Sequence, residues 1–217
     1  MKNIPQVYTE KPNTKEELQA LIRAERNKKG DQCDLNHIDV SLITDFSGLF
    51  YSLAFNGNIS KWNVSGVRSM GSVFENSQFN NDISKWDVSS VVTMKSMFWR
   101  STFNGDISKW DVSSVTNMSS MFADSKFEGD ISGWNVSSVT NMDFMFEKSK
   151  FDGNVSYWDR FSIESDIDMF YESVAAKGLD ILKPSFEQVK SHFLSLKLEV
   201  DLEKNSPGRG QLPKVRL

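Results

Sequence analysis

Short acidic and amide side chains recur at a fixed interval along this chain of 217 residues, and oxygens arranged in this way could hold calcium. Positions 24 residues apart form what we call a column, and two columns consist only of Asp and Asn: Asn58, Asp82, Asp106, Asp130 and Asn154, and Asn63, Asp87, Asp111, Asn135 and Asp159. Calcium prefers several oxygen ligands with carboxylates among them. The alternative is structural, because an Asx side chain accepts a hydrogen bond from a turn amide, and Asn does so as well as Asp. Carboxylates stacked about 4.8 Å apart would also repel one another, so the sequence favours structural Asx ladders and predicts no metal site.

A short basic column lies directly before the tryptophans. It contains Lys61, Lys85 and Lys109, and it is interrupted by Gly133 and Tyr157. Such a column could attract an acidic glycan or a phosphate-bearing surface. It is more typical of a solvated edge, where lysines discourage strand pairing with other molecules. We favour the solvated edge and keep the three lysines as candidate binding residues.

Few residues in the chain are suited to catalysis. The two histidines, His37 and His192, and the single Cys33 are too few for a zinc site or a disulfide framework. The sequence contains no nucleophile elbow and no phosphate-binding loop. With 25 Lys and Arg against 29 Asp and Glu, the net charge of -4 provides no positive field for nucleic acid. We expect no enzymatic activity, no cofactor and no nucleic-acid partner.

The polar columns belong to a repeat of 24 residues. Its clearest markers are a tryptophan column and a phenylalanine column, namely Trp62, Trp86, Trp110, Trp134 and Trp158, and Phe55, Phe79, Phe103, Phe127 and Phe151. Eight apolar positions recur in each unit, and they are too few to offset the entropy of ordering one 24-residue unit alone. Neighbouring units must therefore stack, and the register predicts stacking from residue 38 to residue 173.

We predict a repeat solenoid, either leucine-rich-repeat-like or a β-solenoid stack, with one short strand and one short helical turn in each coil. Ile107, Trp110 and Val112 have the L-x-x-L-x-L spacing of a strand that turns alternate side chains inward, so the strand is expected near 110–112. The segment Val115–Phe122 has apolar residues at i, i+3, i+6 and i+7, which suits a short helical or 3₁₀ turn.

Both ends of such a stack need a cap, because terminal units expose unpaired edges and apolar surface. Thr14 and Glu17 form a capping box that predicts a helix ending near Gly30. At the other end, Pro184 precedes an apolar helical stripe that predicts a second capping helix. The stripe consists of Phe186, Val189, Phe193 and Leu194. The predicted domains are an N-terminal segment with the first helix at 1–37, the repeats at 38–173, the second cap at 174–204 and a flexible tail at 205–217.

Outward positions that vary between units are candidates for binding, because a scaffold fixes its core columns and leaves exposed ones free. Trp99 and Phe144 stand where most other units have polar or small side chains. Tyr51 shares the Trp99 column, and Arg100 belongs to the next column, which also varies. An exposed aromatic patch on a rigid surface is typical of a binding hot spot. The alternative is that Trp99 and Phe144 pack against a cap or a neighbouring coil.

The repeat resembles a known family. The segment F-N-G-D-I-S-K-W-D-V-S-S-V-T-N-M-S-S-M-F, at Phe103–Phe122, is similar to the repeats of BspA-like leucine-rich-repeat proteins, and the similarity covers about five units. The resemblance implies a surface or secreted bacterial protein with a role in adhesion and protein binding. Val115 stands where an ordinary leucine-rich repeat has its ladder asparagine, which leaves a straighter β-solenoid open.

These features predict a non-catalytic, monomeric repeat scaffold that presents an extended surface to a protein or glycan partner. The family resemblance implies that this partner is a host or matrix component and that the chain is an adhesion-type bacterial surface protein. The first thirty residues have no apolar run of the kind that a secretory signal needs, and no stretch of about 18 apolar residues occurs. We therefore expect no membrane span and no standard export signal in this chain. An intracellular interaction module, or an effector exported without an N-terminal signal, is the alternative.

Overall fold

The computed structural model describes residues 7–159, 161–177, 179 and 184–205. Within these residues it has two α-helices, α1 at Lys15–Lys29 and α2 at Phe186–Asn205, and a 3₁₀ turn at Val174–Ala176. Between α1 and the 3₁₀ turn, the described chain forms turns and isolated parallel bridges rather than longer strands. No helix in the described part of the chain has the length and apolar character needed to cross a bilayer.

The residues that flank α1 start and end it. The Thr14 hydroxyl accepts a hydrogen bond from the Glu17 N–H at 3.2 Å, which satisfies one of the free donors of the first turn. Gly30 ends the helix with φ of 82°, a left-handed conformation that costs glycine little. Leu18 and Ile22 are buried on one side of α1. The helix therefore packs an apolar face against the core of the repeats.

Successive 24-residue units lie on one another in register. A chain of parallel bridges connects Asp45, Ser69, Thr93, Asn117, Asn141 and Ser165, each to the next. Alternate N–H groups of one unit also donate to carbonyl oxygens of the next. In the central unit these bonds run from Met94, Ser96, Phe98 and Arg100 to Asn117, Ser119, Met121 and Ala123, at 2.8–2.9 Å. These bonds join backbone groups, so they hold each unit to its neighbours independently of the identity of the outward side chains.

The intervening N–H groups turn back into their own unit. Met97, Trp99 and Ser101 donate to carbonyl oxygens three residues earlier, at 3.0–3.1 Å, so residues 94–100 form a row of overlapping turns. We call this segment a turn ribbon, and the same pattern occurs at 46–52, 70–76, 118–124, 142–148 and 166–172. The helical turn predicted at Val115–Phe122 overlaps the ribbon at 118–124. Two residues with positive φ in each ribbon interrupt helical hydrogen bonding, so a ribbon forms there instead.

Residues 110–112, where the sequence predicts a short strand, connect one turn that closes at Trp110 with another that begins at Val112. The Trp110 N–H donates to the Ile107 carbonyl at 3.1 Å. The Asp111 carboxylate accepts a hydrogen bond from the Ser113 N–H at 3.0 Å and fixes another turn directly afterwards. The bridge of this unit lies further along the chain, at Asn117.

Aromatic ladders form the centre of the stack. The fifth residues of the ribbons stack from unit to unit with ring centroids 5.4–5.8 Å apart: Phe50, Phe74, Phe98, Phe122, Phe146 and Phe170. The Phe55 column stacks in the same way, at 6.2–6.4 Å. Each indole of the tryptophan column donates to a carbonyl oxygen of the preceding unit, at 2.9–3.2 Å, as Trp110 does to Ile83. These buried N–H groups are therefore satisfied by the stacking itself.

The first turn of α2 packs on the last unit. Ser185 and Gln188 form a reciprocal cap, in which the Gln188 N–H donates to the Ser185 hydroxyl at 3.3 Å and the Ser185 N–H donates to the Gln188 side chain at 2.8 Å. Phe186 is buried, with its ring 6.3 Å from that of Phe170. Leu194 is 42% exposed, so the contact with the core does not extend over the whole predicted stripe. Asn205, placed by the sequence in a flexible tail, belongs to α2, and the rest of that tail lies outside the described residues.

Candidate functional site

The turn ribbons turn one side to the core and the other to solvent. In the ribbon 94–100, Met97 and Phe98 are buried, whereas Lys95 and Arg100 are exposed and Trp99 is partly exposed. We call the surface formed by the second, third, sixth and seventh residues of the six ribbons the ribbon face. Four of the predicted binding residues lie on this face, namely Tyr51, Trp99, Arg100 and Phe144.

Two positions of every ribbon have a left-handed backbone. The third positions are Gly48, Ser72, Ser96, Ser120, Phe144 and Asp168, with φ between 49° and 64°. The seventh positions are Ser52, Asn76, Arg100, Asp124, Lys148 and Glu172, with φ between 51° and 54°. Glycine and short polar residues tolerate this conformation best, and a bulky side chain there is strained. The predominance of Gly, Ser and Asp in the third-position column was the sequence signal for this geometry, and the sequence reasoning missed it; the seventh column, with Arg100, Lys148 and Glu172, carries a weaker signal.

Phe144 is the bulky exception at the third position, with φ of 57°. Its side chain is only partly buried and does not belong to the hydrophobic core that the described residues form. Its N–H donates to the Ile167 carbonyl at 2.8 Å, the same bond that Ser120 makes to Asp143 in the preceding unit. The backbone arrangement therefore needs no phenylalanine at this position.

Trp99 also lies outside the described core and is partly exposed. The Arg100 guanidinium lies 5.0 Å from the Trp99 ring centroid, and its Nε lies 3.2 Å from the Asp124 carboxylate. Both partners of this ion pair have side chains that are more than half exposed, so the pair orients the guanidinium but adds little stability. The ring contact of Trp99 is thus with Arg100, its neighbour on the surface.

The last two ribbons carry an acidic group around Tyr171. The Tyr171 hydroxyl donates to the Glu172 carboxylate, and this bond together with the charges of Glu172, Glu147 and Asp168 raises the pKa of the phenol. The Lys148 ammonium lies 5.5 Å from the Tyr171 ring centroid and 3.5 Å from the Glu147 carboxylate. The sequence reasoning missed this group, because its members come from ribbons 24 residues apart.

The basic column lies on a different side of the stack. The ring of Phe50, from a ribbon, and the ring of Trp62 meet inside the core, with centroids 5.9 Å apart. Lys61, next to Trp62, is exposed on the far side of that contact. Serine donors are the main cause of the lowered pKa of Asp106, and Lys109 lowers it further. The structure therefore places Lys85 and Lys109 beside Asp82 and Asp106, whose carboxylates offset their charge, and the lysine column lies apart from the ribbon face.

The Asx side chains bind turn amides. Asp82 accepts a hydrogen bond from the Ser84 N–H at 2.9 Å, and the same bond occurs at Asp106 and Asp130. The Ser84 hydroxyl and N–H hold the pKa of Asp82 below its ordinary value. The described residues contain no group of three or more His, Cys, Asp or Glu side chains placed to hold a metal.

His37 and Cys33 both lie near Glu25 of α1. His37 Nε2 lies 3.8 Å from the Glu25 carboxylate, which the Lys29 ammonium also contacts. Cys33 is buried, and burial raises the pKa of its thiol. A protonated, buried thiol is a poor nucleophile. His192 lies on α2, at the opposite end of the described chain.

A family model described as "Mycoplasma protein of unknown function, DUF285" matches the chain at residues 18–126 and 100–181. The two matches together cover most of the 217 residues, including α1 from Leu18 onward and all six ribbons. No curated protein and no solved structure matches the chain.

Proposed function

The chain belongs to the DUF285 family of repeat proteins, whose description names no activity, and we propose that it is a non-catalytic scaffold that binds a partner through its ribbon face. In this proposal the stacked units form a capped solenoid, and the partner is a protein or a glycan. The finer expectation is that the protein is a BspA-like adhesin on a bacterial surface and acts as a monomer.

The observation that carries the proposal is Phe144. A phenylalanine at φ of 57° is strained, lies outside the described core and occupies a column where Gly or Ser serves the backbone equally well. Strain of this kind, of about 1–3 kcal/mol, is retained mainly where a side chain has a functional task. Binding is the task that fits a partly exposed aromatic side chain on a rigid surface.

Trp99, which lies two ribbons before Phe144 in the stack, supports the same proposal. Tryptophan and arginine are the residues most enriched in binding hot spots, and here the Arg100 guanidinium already lies over the Trp99 ring. A hydrogen-bonded backbone stack fixes the positions of both side chains before a partner arrives. Less conformational entropy is therefore lost on binding.

The test is binding of the labelled chain to cultured animal cells, measured by flow cytometry. We expect the double variant Trp99→Ala, Phe144→Ser to lose at least about tenfold in apparent affinity, since two hot-spot side chains are removed. The matched control is Phe161→Ser, which removes a phenylalanine that is 97% exposed outside the ribbon face, at a position where other units have serine. Protease or glycosidase treatment of the cells tells whether the receptor is a protein or a glycan.

Two results would refute the proposal. Equal loss of binding with Phe161→Ser would show that any exposed aromatic side chain mediates adhesion. A large drop in the melting temperature of the double variant would show that Trp99 and Phe144 are structural. Protease treatment of intact producing cells separates the surface location from the intracellular alternative, because only an exposed protein is cleaved.

A further inference from the structure

The charges of the ribbon face are unevenly distributed along the stack. On the first four ribbons, two acidic and two basic side chains balance: Glu75 and Asp124, and Lys95 and Arg100. On the last two ribbons, four carboxylates face a single ammonium: Asp143, Glu147, Asp168 and Glu172, and Lys148. This end of the face therefore carries a net charge of -3, whereas the whole chain carries -4.

Hydrogen bonds hold one of these carboxylates, that of Asp143, in place. It accepts one bond from the Ser165 hydroxyl at 2.6 Å and another from the Ile167 N–H at 2.8 Å. The Asp143 charge is thus presented from a fixed position, which favours binding of a complementary cationic group.

The same region already holds one cation against an aromatic ring. The Lys148 ammonium lies between the Glu147 carboxylate, at 3.5 Å, and the Tyr171 ring, whose centroid is 5.5 Å away. Carboxylates and an aromatic face are the two groups that bind ammonium and guanidinium ions. Phe144, partly exposed, and Ile167, 58% exposed, add apolar surface in the same two ribbons.

We infer that the acidic end of the ribbon face, residues 142–148 and 166–172, binds a basic segment of a protein partner. Lysine or arginine side chains of the partner pair with the carboxylates of Glu147 and Glu172 beside Lys148, and its apolar side chains cover Phe144 and Ile167. The charge of the face excludes polyanionic partners such as nucleic acid or acidic glycans from this region. The inference rests on the proposed function and gives the chemistry of the partner.

The test uses the full chain and fluorescein-labelled octa-arginine, with octa-glutamate of the same length as a comparison, in fluorescence anisotropy at low salt. We expect octa-arginine to bind and octa-glutamate not to bind. Glu147→Gln with Glu172→Gln keeps the side-chain shapes and one acceptor oxygen in each side chain while it removes the charge, and it should weaken octa-arginine binding about fivefold. The matched control is Asp82→Asn with Asp106→Asn, which removes the same charge away from the ribbon face. Asn58 and Asn154 occur naturally in that column. The control should change octa-arginine binding less than about twofold.

Equal weakening by both double variants would overturn the inference, because net charge alone would then explain binding. Absence of octa-arginine binding, or preference for octa-glutamate, would overturn it too. The cell-binding experiment separates the two proposals. If Trp99→Ala with Phe144→Ser abolishes cell binding while the Glu147 and Glu172 variants leave octa-arginine binding unchanged, the proposed function stands and only the basic partner falls.

Discussion

The strain assigned to Phe144 can be measured by comparing two substitutions at that one position. Phe144→Ala and Phe144→Gly both delete the ring, so the contacts that the ring makes cancel in the comparison. They differ in backbone, because Ala at φ of 57° remains strained whereas Gly adopts this conformation freely. The strain amounts to about 1–2 kcal/mol. The extra entropy that glycine loses on folding offsets about 0.5–1 kcal/mol of that gain.

We therefore expect the Phe144→Gly protein to be more stable than the Phe144→Ala protein by about 0.5–1 kcal/mol. The sign is informative, since Gly is less stable than Ala by a similar amount at ordinary helix or strand positions. The assay is urea unfolding at 25 °C, with equal m-values as the check that both variants unfold in the same way. Ser120→Gly and Ser120→Ala, at φ of 56° in the preceding ribbon, are the matched pair and should show the same order.

The loss caused by removing the ring tests whether Phe144 is structural. A phenylalanine that fills a core typically costs about 3–5 kcal/mol when it is truncated. Phe144 is partly exposed and outside the described core, so Phe144→Gly should cost less than about 2 kcal/mol relative to the wild type. If Ala is at least as stable as Gly at this position, or if truncation costs what a core residue costs, the strain argument and the binding role built on it are both wrong.

Two further predictions concern the repeat itself. A Cβ at Gly105 would lie 2.8 Å from the Phe103 ring, so Gly105→Ala should lower the free energy of unfolding by about 1–3 kcal/mol. A Cβ at Gly133 would have no atom within 4 Å, so Gly133→Ala should leave the free energy of unfolding unchanged. Equal urea midpoints for the two variants would contradict this prediction. Hydrogen bonds from serine lower the pKa of Asp82 and of Asp106. The two ionised carboxylates therefore stabilise the fold fully above their unfolded-state pKa, and this stabilisation is lost as the pH falls through their lower folded-state pKa. Asp82→Asn with Asp106→Asn should therefore flatten the decline in stability below about pH 4, and an unchanged pH profile in acid unfolding would refute the assignment.

The 24-residue interval predicts which side chains share a column, because every column recurs at one place in the unit. It cannot by itself predict the backbone, and Val115–Phe122 shows why. Apolar residues at i, i+3, i+6 and i+7 face one way in a helical turn, and they also do so in a ribbon of overlapping turns with left-handed residues at Ser120 and Asp124. The local capping signal at Thr14, in contrast, depends on neighbouring residues only, and α1 begins directly after it.

Only part of the candidate site could be predicted from the sequence. Trp99 and Phe144 could be selected because they depart from their own columns, and the column spacing already puts Tyr51 in the Trp99 column and Arg100 in the column next to it. The acidic group around Tyr171 needs a second step, because Glu147 affects Tyr171 only once two ribbons are stacked. The lysine column could not be assigned to a side of the stack until the contact between Phe50 and Trp62 was known.

The hydrogen-bond pattern explains why this face can change without disturbing the fold. Between ribbons, the bonds that recur in every unit join backbone groups, and the inward residues make the aromatic ladders. The sixth side chain of a ribbon belongs to neither set, so Glu75, Trp99, Ala123 and Glu147 occupy one column without altering the stack. The restriction that remains is φ at the third and seventh positions, where a large side chain costs stability. A unit that keeps Phe144 despite that cost is therefore the place where a function of the face should be sought first.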